Sequence, residues 1–203
     1  MRPSAIAVAL SVCIAVSADA QNGAPALGTP DPARITGGTY AVDPHHTQVL
    51  FGFNHLGFTH NAGIFAQPTG TLVLDPKTPA KAVVEVSFPV SSIATGVPKF
   101  NEHLMSADFF DAAKFPTAAF KSTSVEVDED EAEITGNLTI KGITKEVTLD
   151  ATLVGTGANP MSKKETVGFS ATATIKRSDF GLGYGVPMVG DVIELRIAAA
   201  FEK

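Results

Sequence analysis

The chain has 203 residues, a formal net charge of −6 and one cysteine, and 44% of it is hydrophobic. Its Lys and Arg residues are scattered, without a basic run, which makes nucleic acid and anionic membrane surfaces poor partners. A lone cysteine excludes a disulfide framework, and no apolar stretch has the length of a membrane span.

The first twenty residues read as an export signal. Arg2 supplies the n-region charge, Ala5 to Val16 form a short apolar run, and Ala18-Asp19-Ala20 is a small-x-small cleavage site. Cleavage near Ala20 removes Cys13, and with it any thiol chemistry or Cys-based metal site. A lipoprotein signal would need a small residue where Val12 stands, so lipidation is not expected. Residues 21–34, rich in Pro, Gly and Ala, read as a flexible leader. Residues 35–203 then form one domain, long enough to build its own core.

From Ile35 onward the pattern has a period of two. Thr47 to Asn54 sets Val49, Phe51 and Phe53 on one face. Thr59 to Asp75 is extended but interrupted at Gln67-Pro68, a bend or bulge. Lys81 to Phe88 sets Ala82, Val84, Val86 and Phe88 against Lys81, Glu85 and Ser87. The stretch from Asn101 to Pro116 breaks the pattern: Leu104, Met105, Phe109, Phe110 and Phe115 are spaced as in a short helix, placed near 99–113, which either caps a barrel end or lines a pocket mouth. Phe115 to Val127 is extended again. Three strands follow in quick succession: Glu131 to Ile140, Ile143 to Val154 after a Lys141-Gly142 turn, and Thr166 to Arg177 with Val167, Phe169, Ala171, Ala173 and Ile175 on one face. Asp191 to Glu202 closes with Ile193, Leu195, Ile197, Ala199 and Phe201 inward. The acidic cluster from Glu126 to Glu133 is a solvated hairpin turn; it lacks the alternation and glycine bend of a calcium loop.

Consecutive half-buried strands joined by short turns imply an all-β, antiparallel fold. Long strands without a Greek-key crossover favour a barrel of about eight strands over a sandwich, a size that can hold one small ligand. Small residues (Gly52, Gly63, Ala119, Gly136, Ala151, Ala171, Ala173) are assigned to the inward faces. They either leave room along the axis or fit the barrel's taper, and both readings stay open.

Chemistry has few footholds. His45, His46, His55 and His60 lie close in sequence, but the first two point to opposite faces of an extended chain, and no Cys or carboxylate joins the others at metal-ligand spacing. No G-x-S-x-G elbow is present, and Gly181 to Gly185 lack the strand and helix of a nucleotide loop. Asn137-Leu138-Thr139 is a formal glycosylation triplet in mid-strand. Ser178 to Gly183 read as a rim turn and one wall of a pocket mouth. The residues call for no cofactor and no catalytic group.

Several motifs occur in one order: Tyr40-Ala-Val-Asp-Pro-His45, Phe51-Gly-Phe-Asn-His55-Leu-Gly-Phe58, His103-Leu-Met-Ser-Ala-Asp-Phe-Phe110 running into Phe115-Pro116, Gly136-Asn-Leu-Thr-Ile-Lys-Gly142, Ser178-Asp-Phe-Gly-Leu-Gly183 and Gly190-Asp191. Together they resemble the YceI family over residues 39–203. The resemblance implies a periplasmic, lipocalin-like antiparallel barrel with an elongated apolar pocket for polyisoprenoid, quinone-like or other long amphiphilic lipids. One departure is Asn54, where the family commonly has Arg before the histidine matching His55. The expected function is to bind and carry or sequester such a lipid. Its tail would lie against Phe51, Phe53, Phe58, Phe65, Leu104, Met105, Phe109, Phe110 and Phe180, with His55, His103 and Asp108 near the mouth. Two alternatives stand beside it: an enzyme acting on an isoprenoid or quinone head with His55 or His103 as general base, and a stress-related structural or metal-buffering protein using the N-terminal histidines and an otherwise filled barrel. Stable membrane insertion is not expected, and homodimerisation stays open.

Overall fold

The computed structural model describes residues 27–203; the expected signal segment and the first part of the expected leader lie outside them. Ten strands alternate with little helix. They are β1 (Gly38–Val42), β2 (Gln48–His55), β3 (Thr59–Phe65), β4 (Thr69–Leu74), β5 (Val83–Pro89), β6 (Thr117–Asp128), β7 (Glu131–Ile140), β8 (Ile143–Ala158), β9 (Glu165–Lys176) and β10 (Val192–Glu202). One α-helix, α1 (Pro98–Met105), sits between β5 and β6.

All neighbours are antiparallel, in the order β1-β4-β5-β6-β7-β8-β9-β10-β2-β3, and a further β1–β10 pairing closes the ring. β1 and β2 lie end to end along β10, opposite Phe201–Glu202 and Glu194–Ala198 respectively. They are one wall broken around Pro44. At the break the buried Thr47 hydroxyl accepts from the Ala200 N–H (2.9 Å) and donates to the Ala200 carbonyl (3.1 Å), replacing the lost ladder bonds. β3 and β4 are likewise one wall, bent where Gln67 takes a left-handed backbone before Pro68. Counted as walls, the closed barrel has eight, as the strand pattern predicts.

The inward faces of β5, β7, β8, β9 and β10 follow the alternation read from the sequence. Two inward glycines do not leave free space. A Cβ on Gly63 would stand 2.3 Å from the Phe51 ring, and one on Gly136 2.4 Å from the Phe120 ring. Each aromatic lies over its glycine and fills the notch. Gly52 is a correction: it pairs with Glu194 and Ala62 between Phe51 and Phe53, and so faces outward.

Consecutive hairpins alternate between the two barrel ends. At one end are the β6–β7 turn with its acidic residues and the β8–β9 turn. Thr29 to Arg34, expected to belong to the flexible leader, docks here: Thr29 and Thr156 exchange backbone bonds of 2.8 and 3.4 Å, and the buried Thr156 hydroxyl donates to the Thr29 carbonyl (3.1 Å) and the Asp31 carbonyl (2.5 Å). The buried Tyr40 hydroxyl donates to Glu165, which also accepts from the Thr36 N–H (2.9 Å) and pairs with Lys203 (3.4 Å). At the other end are the β2–β3 turn, the Lys141-Gly142 turn, the β9–β10 connection and α1. Lys141 and Gly142 both take positive φ, the two-residue hairpin geometry that glycine there favours.

The helix is shorter than the expected 99–113. Its last turn ends at Ser106, whose hydroxyl donates to the His103 carbonyl (2.7 Å) and whose own carbonyl accepts from Phe109 and Asp111. Phe109 and Phe110 reach the interior from this turn rather than from a helix face. The whole excursion leaves and returns at one point, where the Val90 N–H bonds to the Pro116 carbonyl (2.8 Å).

Candidate functional site

A cavity of about 740 Å³ runs through the barrel. Volumes of about 300–1,000 Å³ are typical of small-molecule sites. Its middle is apolar: Ile134 and Leu138 of β7, Leu149 and Ala151 of β8, and Ala171 and Ile175 of β9 form one continuous belt. Apart from the Thr47 hydroxyl at the β1–β2 break, which is bonded to Ala200, and that of Thr156, bonded to the Thr29 and Asp31 carbonyls, the polar lining gathers towards the ends. Glu129, Asp130 and Glu131 stand at one, and His55, Asn61, His103, Arg177 and Tyr184 at the other.

The excursion between β5 and β6 packs into the helix end. Leu104 and Phe109 are buried in the core with Phe51, Phe53 and Phe180, and Phe65, Phe100, Met105 and Phe110 pack against it. Phe51 stacks on Phe53 at 6.4 Å between centroids, and Phe65 meets Phe110 edge-on at 5.5 Å. His103 crosses edge-on to Phe109 (5.0 Å) and Tyr184 (5.3 Å), which joins the turn after α1 to the β9–β10 connection. His103 Nε2 lies 3.2 Å from Asp108 Oδ2.

Of the residues expected to contact a ligand, Phe51, Phe53, His55, Phe65, His103, Leu104, Phe109 and Phe110 line the cavity. The other four do not. Met105 and Phe180 pack in the shell of core side chains around it. Asp108 is exposed and touches the site only through His103. Phe58 is 86% exposed on the β2–β3 turn, outside the barrel. Leu56 and Gly57 both take positive φ there, which carries the next side chain away from the interior.

A model of the YceI-like domain matches residues 40–201. The chain belongs to the YceI family. Protein YceI of Escherichia coli O157:H7 is 40% identical over 161 residues, which is 78% of this chain and 84% of the relative. Among solved structures, Burkholderia cenocepacia BcnA superposes with a TM-score of 0.70 at 26% identity, covering 78% of this chain and 98% of that one. A polyisoprenoid binding domain from Saccharophagus degradans, implicated in plant cell wall breakdown, shares the fold at 13% identity with a TM-score of 0.62, covering 80% and 97%.

Within this YceI barrel the sequence reading missed Arg177. The guanidinium is 6% exposed and donates to four carbonyls: Gly190 (2.9 Å), Val189 (2.8 Å), Tyr184 (2.9 Å) and Leu182. Burial lowers its pKa, and nearby Asp191 opposes that shift. Asp191 is itself held below its usual range by the hydrogen bonds from the Ser178 hydroxyl and N–H, assisted by Arg177 and Lys176 and opposed by burial. The signal was present: Arg177 continues the inward alternation after Ile175, and a charge at an inward position demands partners. Tyr184 was hidden among glycines and carried no periodic signal.

Asn54 closes the β2–β3 turn, its side chain accepting from the Gly57 N–H at 2.7 Å. The histidines do not converge. His45 and His46 occupy an exposed turn with His46 on Asp43 (2.5 Å), His60 is exposed on β3, and His55 lines the cavity. Among the described residues no three His, Cys, Asp or Glu side chains are grouped as metal ligands.

Proposed function

We propose that this protein binds one long amphiphilic lipid, polyisoprenoid or quinone-like, inside the barrel and carries or sequesters it in the periplasm. The observation behind this reading is the cavity: about 740 Å³, running along the barrel, lined mostly by apolar side chains, with its charged groups and histidines towards the ends. Each tail CH₂ withdrawn from water contributes about 0.8 kcal/mol, offset by the ordering of the chain. The head group belongs at the end with His55, Asn61 and His103, because Glu129, Asp130 and Glu131 repel an anionic head at the other. Kinship with the YceI proteins and the shared fold of the Saccharophagus polyisoprenoid binding domain agree with this reading. The export signal read from residues 1–20 agrees with a periplasmic site of action.

The role is binding rather than catalysis. Of His55 and His103, the two candidate bases, His103 has a carboxylate partner, and it is packed edge-on between two aromatic rings.

Native mass spectrometry of protein purified from its own periplasm, followed by organic extraction, tests the proposal. A stoichiometric long-chain lipid is the expected result. A clean apo mass that takes up neither added polyprenyl lipids nor added quinones overturns it.

A further inference from the structure

Three connections meet at the helix end: the β2–β3 turn, the stretch leading into α1, and the β9–β10 connection. Residues 51–59, 93–98 and 181–190 contain no Asp, Glu, Lys or Arg. Backbone bonds hold the first and third together, Leu56 N–H to the Met188 carbonyl (2.9 Å) and Gly190 N–H to the Asn54 carbonyl (2.8 Å). Large apolar side chains stand out from this uncharged surface: Phe58 at 86% exposure, Met188 at 66%, Val97 at 55% and Leu56 at 47%. Charges flank these three stretches, Lys99 and Glu102 on α1, Lys141 on the β7–β8 turn and Asp179 before Gly181, of both signs and without a basic cluster; the opposite end carries Asp128, Glu129, Asp130 and Glu131 on one turn and Lys163 and Lys164 on the next.

The apolar rim is continuous with the cavity. Val97 and Tyr184 are exposed and also line it. The tips project freely: a Cβ added at Gly57, Gly96 or Gly183, one glycine in each connection, would meet nothing within 4 Å. Separate apolar tips around an opening suit a fluid apolar phase better than a rigid, shape-matched protein surface. Tyr184 offers the ring-and-hydroxyl combination that settles at the level of lipid head groups.

We propose that this rim docks on the surface of a lipid bilayer, with Phe58 and Met188 entering the acyl boundary, so that the ligand passes between membrane and cavity without crossing water. The inference rests on the lipid-binding reading above. No basic patch accompanies the rim, so the docking is apolar and insensitive to both salt and anionic lipid.

Flotation of the purified protein with phosphatidylethanolamine–phosphatidylcholine vesicles tests it, at low and high salt, beside a Phe58→Glu/Met188→Glu variant. Both side chains are exposed, so the variant is expected to fold, which its circular dichroism and melting temperature check. Wild type is expected to float at either salt concentration, and the variant to lose binding by roughly tenfold or more, while Phe58→Leu/Met188→Leu retains it. Equal flotation of wild type and the Glu variant overturns the proposal, as does a wild type that stays in solution. So does a wild-type dimer in sedimentation that the Glu variant dissolves, which would make the rim a self-association surface. Uptake of a fluorescent polyprenyl probe from vesicle-free solution reports separately on the carrier reading. Flotation without uptake leaves the docking face standing and removes the carrier.

Discussion

Arg177 shows how much one side chain organises. Its fork ties Leu182, Tyr184, Val189 and Gly190 into a single loop and thereby sets Tyr184 against His103. Arg177→Met leaves four carbonyls without their donor and is expected to cost roughly 2–5 kcal/mol in urea unfolding. Arg177→Lys recovers only part of that loss, because a point ammonium cannot reach a fork's worth of acceptors. At the opposite end, burial pushes the Glu165 carboxyl upward, but the bonds from the Tyr40 hydroxyl, the Thr36 N–H and hydroxyl, and the charge of Lys203 more than offset this and hold it below 4.5. A lowered carboxylate pKa stabilises the fold above the unfolded value and ceases to do so as pH falls through the folded one. The stability gap between wild type and Glu165→Gln is therefore expected to be full above about pH 4.5 and to narrow on further acidification; thermal unfolding across that range measures it. Neither residue was singled out from sequence. A buried ionic partner announces itself only when the register is known, and Glu165 lies 125 positions from Tyr40.

Elements were far more legible. Alternation placed β7 through β10 with their inward residues, because each has one face in the cavity and one in water. It also marked the bend at Gln67-Pro68. What periodicity could not show was that β1 and β2 are a single wall, since Thr47 mends the gap with a side-chain hydroxyl instead of a ladder bond. It also lengthened the helix, because Phe109 and Phe110 happen to continue an apolar spacing that Ser106 has already ended. Within the excursion Leu104 is the anchor, buried in the main core at the helix end. Leu104→Ala is expected to destabilise the protein by roughly 2–5 kcal/mol in urea unfolding and to loosen the plug before the barrel. Phe58 was misplaced for a related reason: the apolar face of β2 runs straight into a turn whose left-handed residues reverse its direction.

Across the whole molecule the cavity determines what fits. Ala151 and Ala171 face each other across the β8–β9 ladder in the apolar belt. They set its width at mid-barrel, where Gly63 and Gly136 are already filled by Phe51 and Phe120. Ala151→Leu/Ala171→Phe is expected to shorten the longest polyprenyl chain retained, with native mass spectra shifting to shorter lipids while the melting temperature stays near that of wild type. Unchanged chain lengths would mean that the tail does not reach the belt. Ala151 and Ala171 line the cavity, Ala173 is packed in the core, and the notches at Gly63 and Gly136 are filled by aromatics, a distinction that composition cannot make because it depends on which side chain lies opposite.

The bent wall formed by β3 and β4 has a further consequence in time rather than space. β4 is paired on both sides, but among the described residues β3 joins the sheet ladder only through β2, and its outer edge has one backbone bridge, Ile64 with Ala94, through bonds of 2.9 and 3.0 Å. Amide hydrogens on that edge therefore have water as their partner, and deuterium should enter β3 within the earliest exchange times while β9, laddered along nearly its full length to β8 and β10, stays protonated longest. The barrel is expected to open first along this seam, which runs beside the segment between β5 and β6.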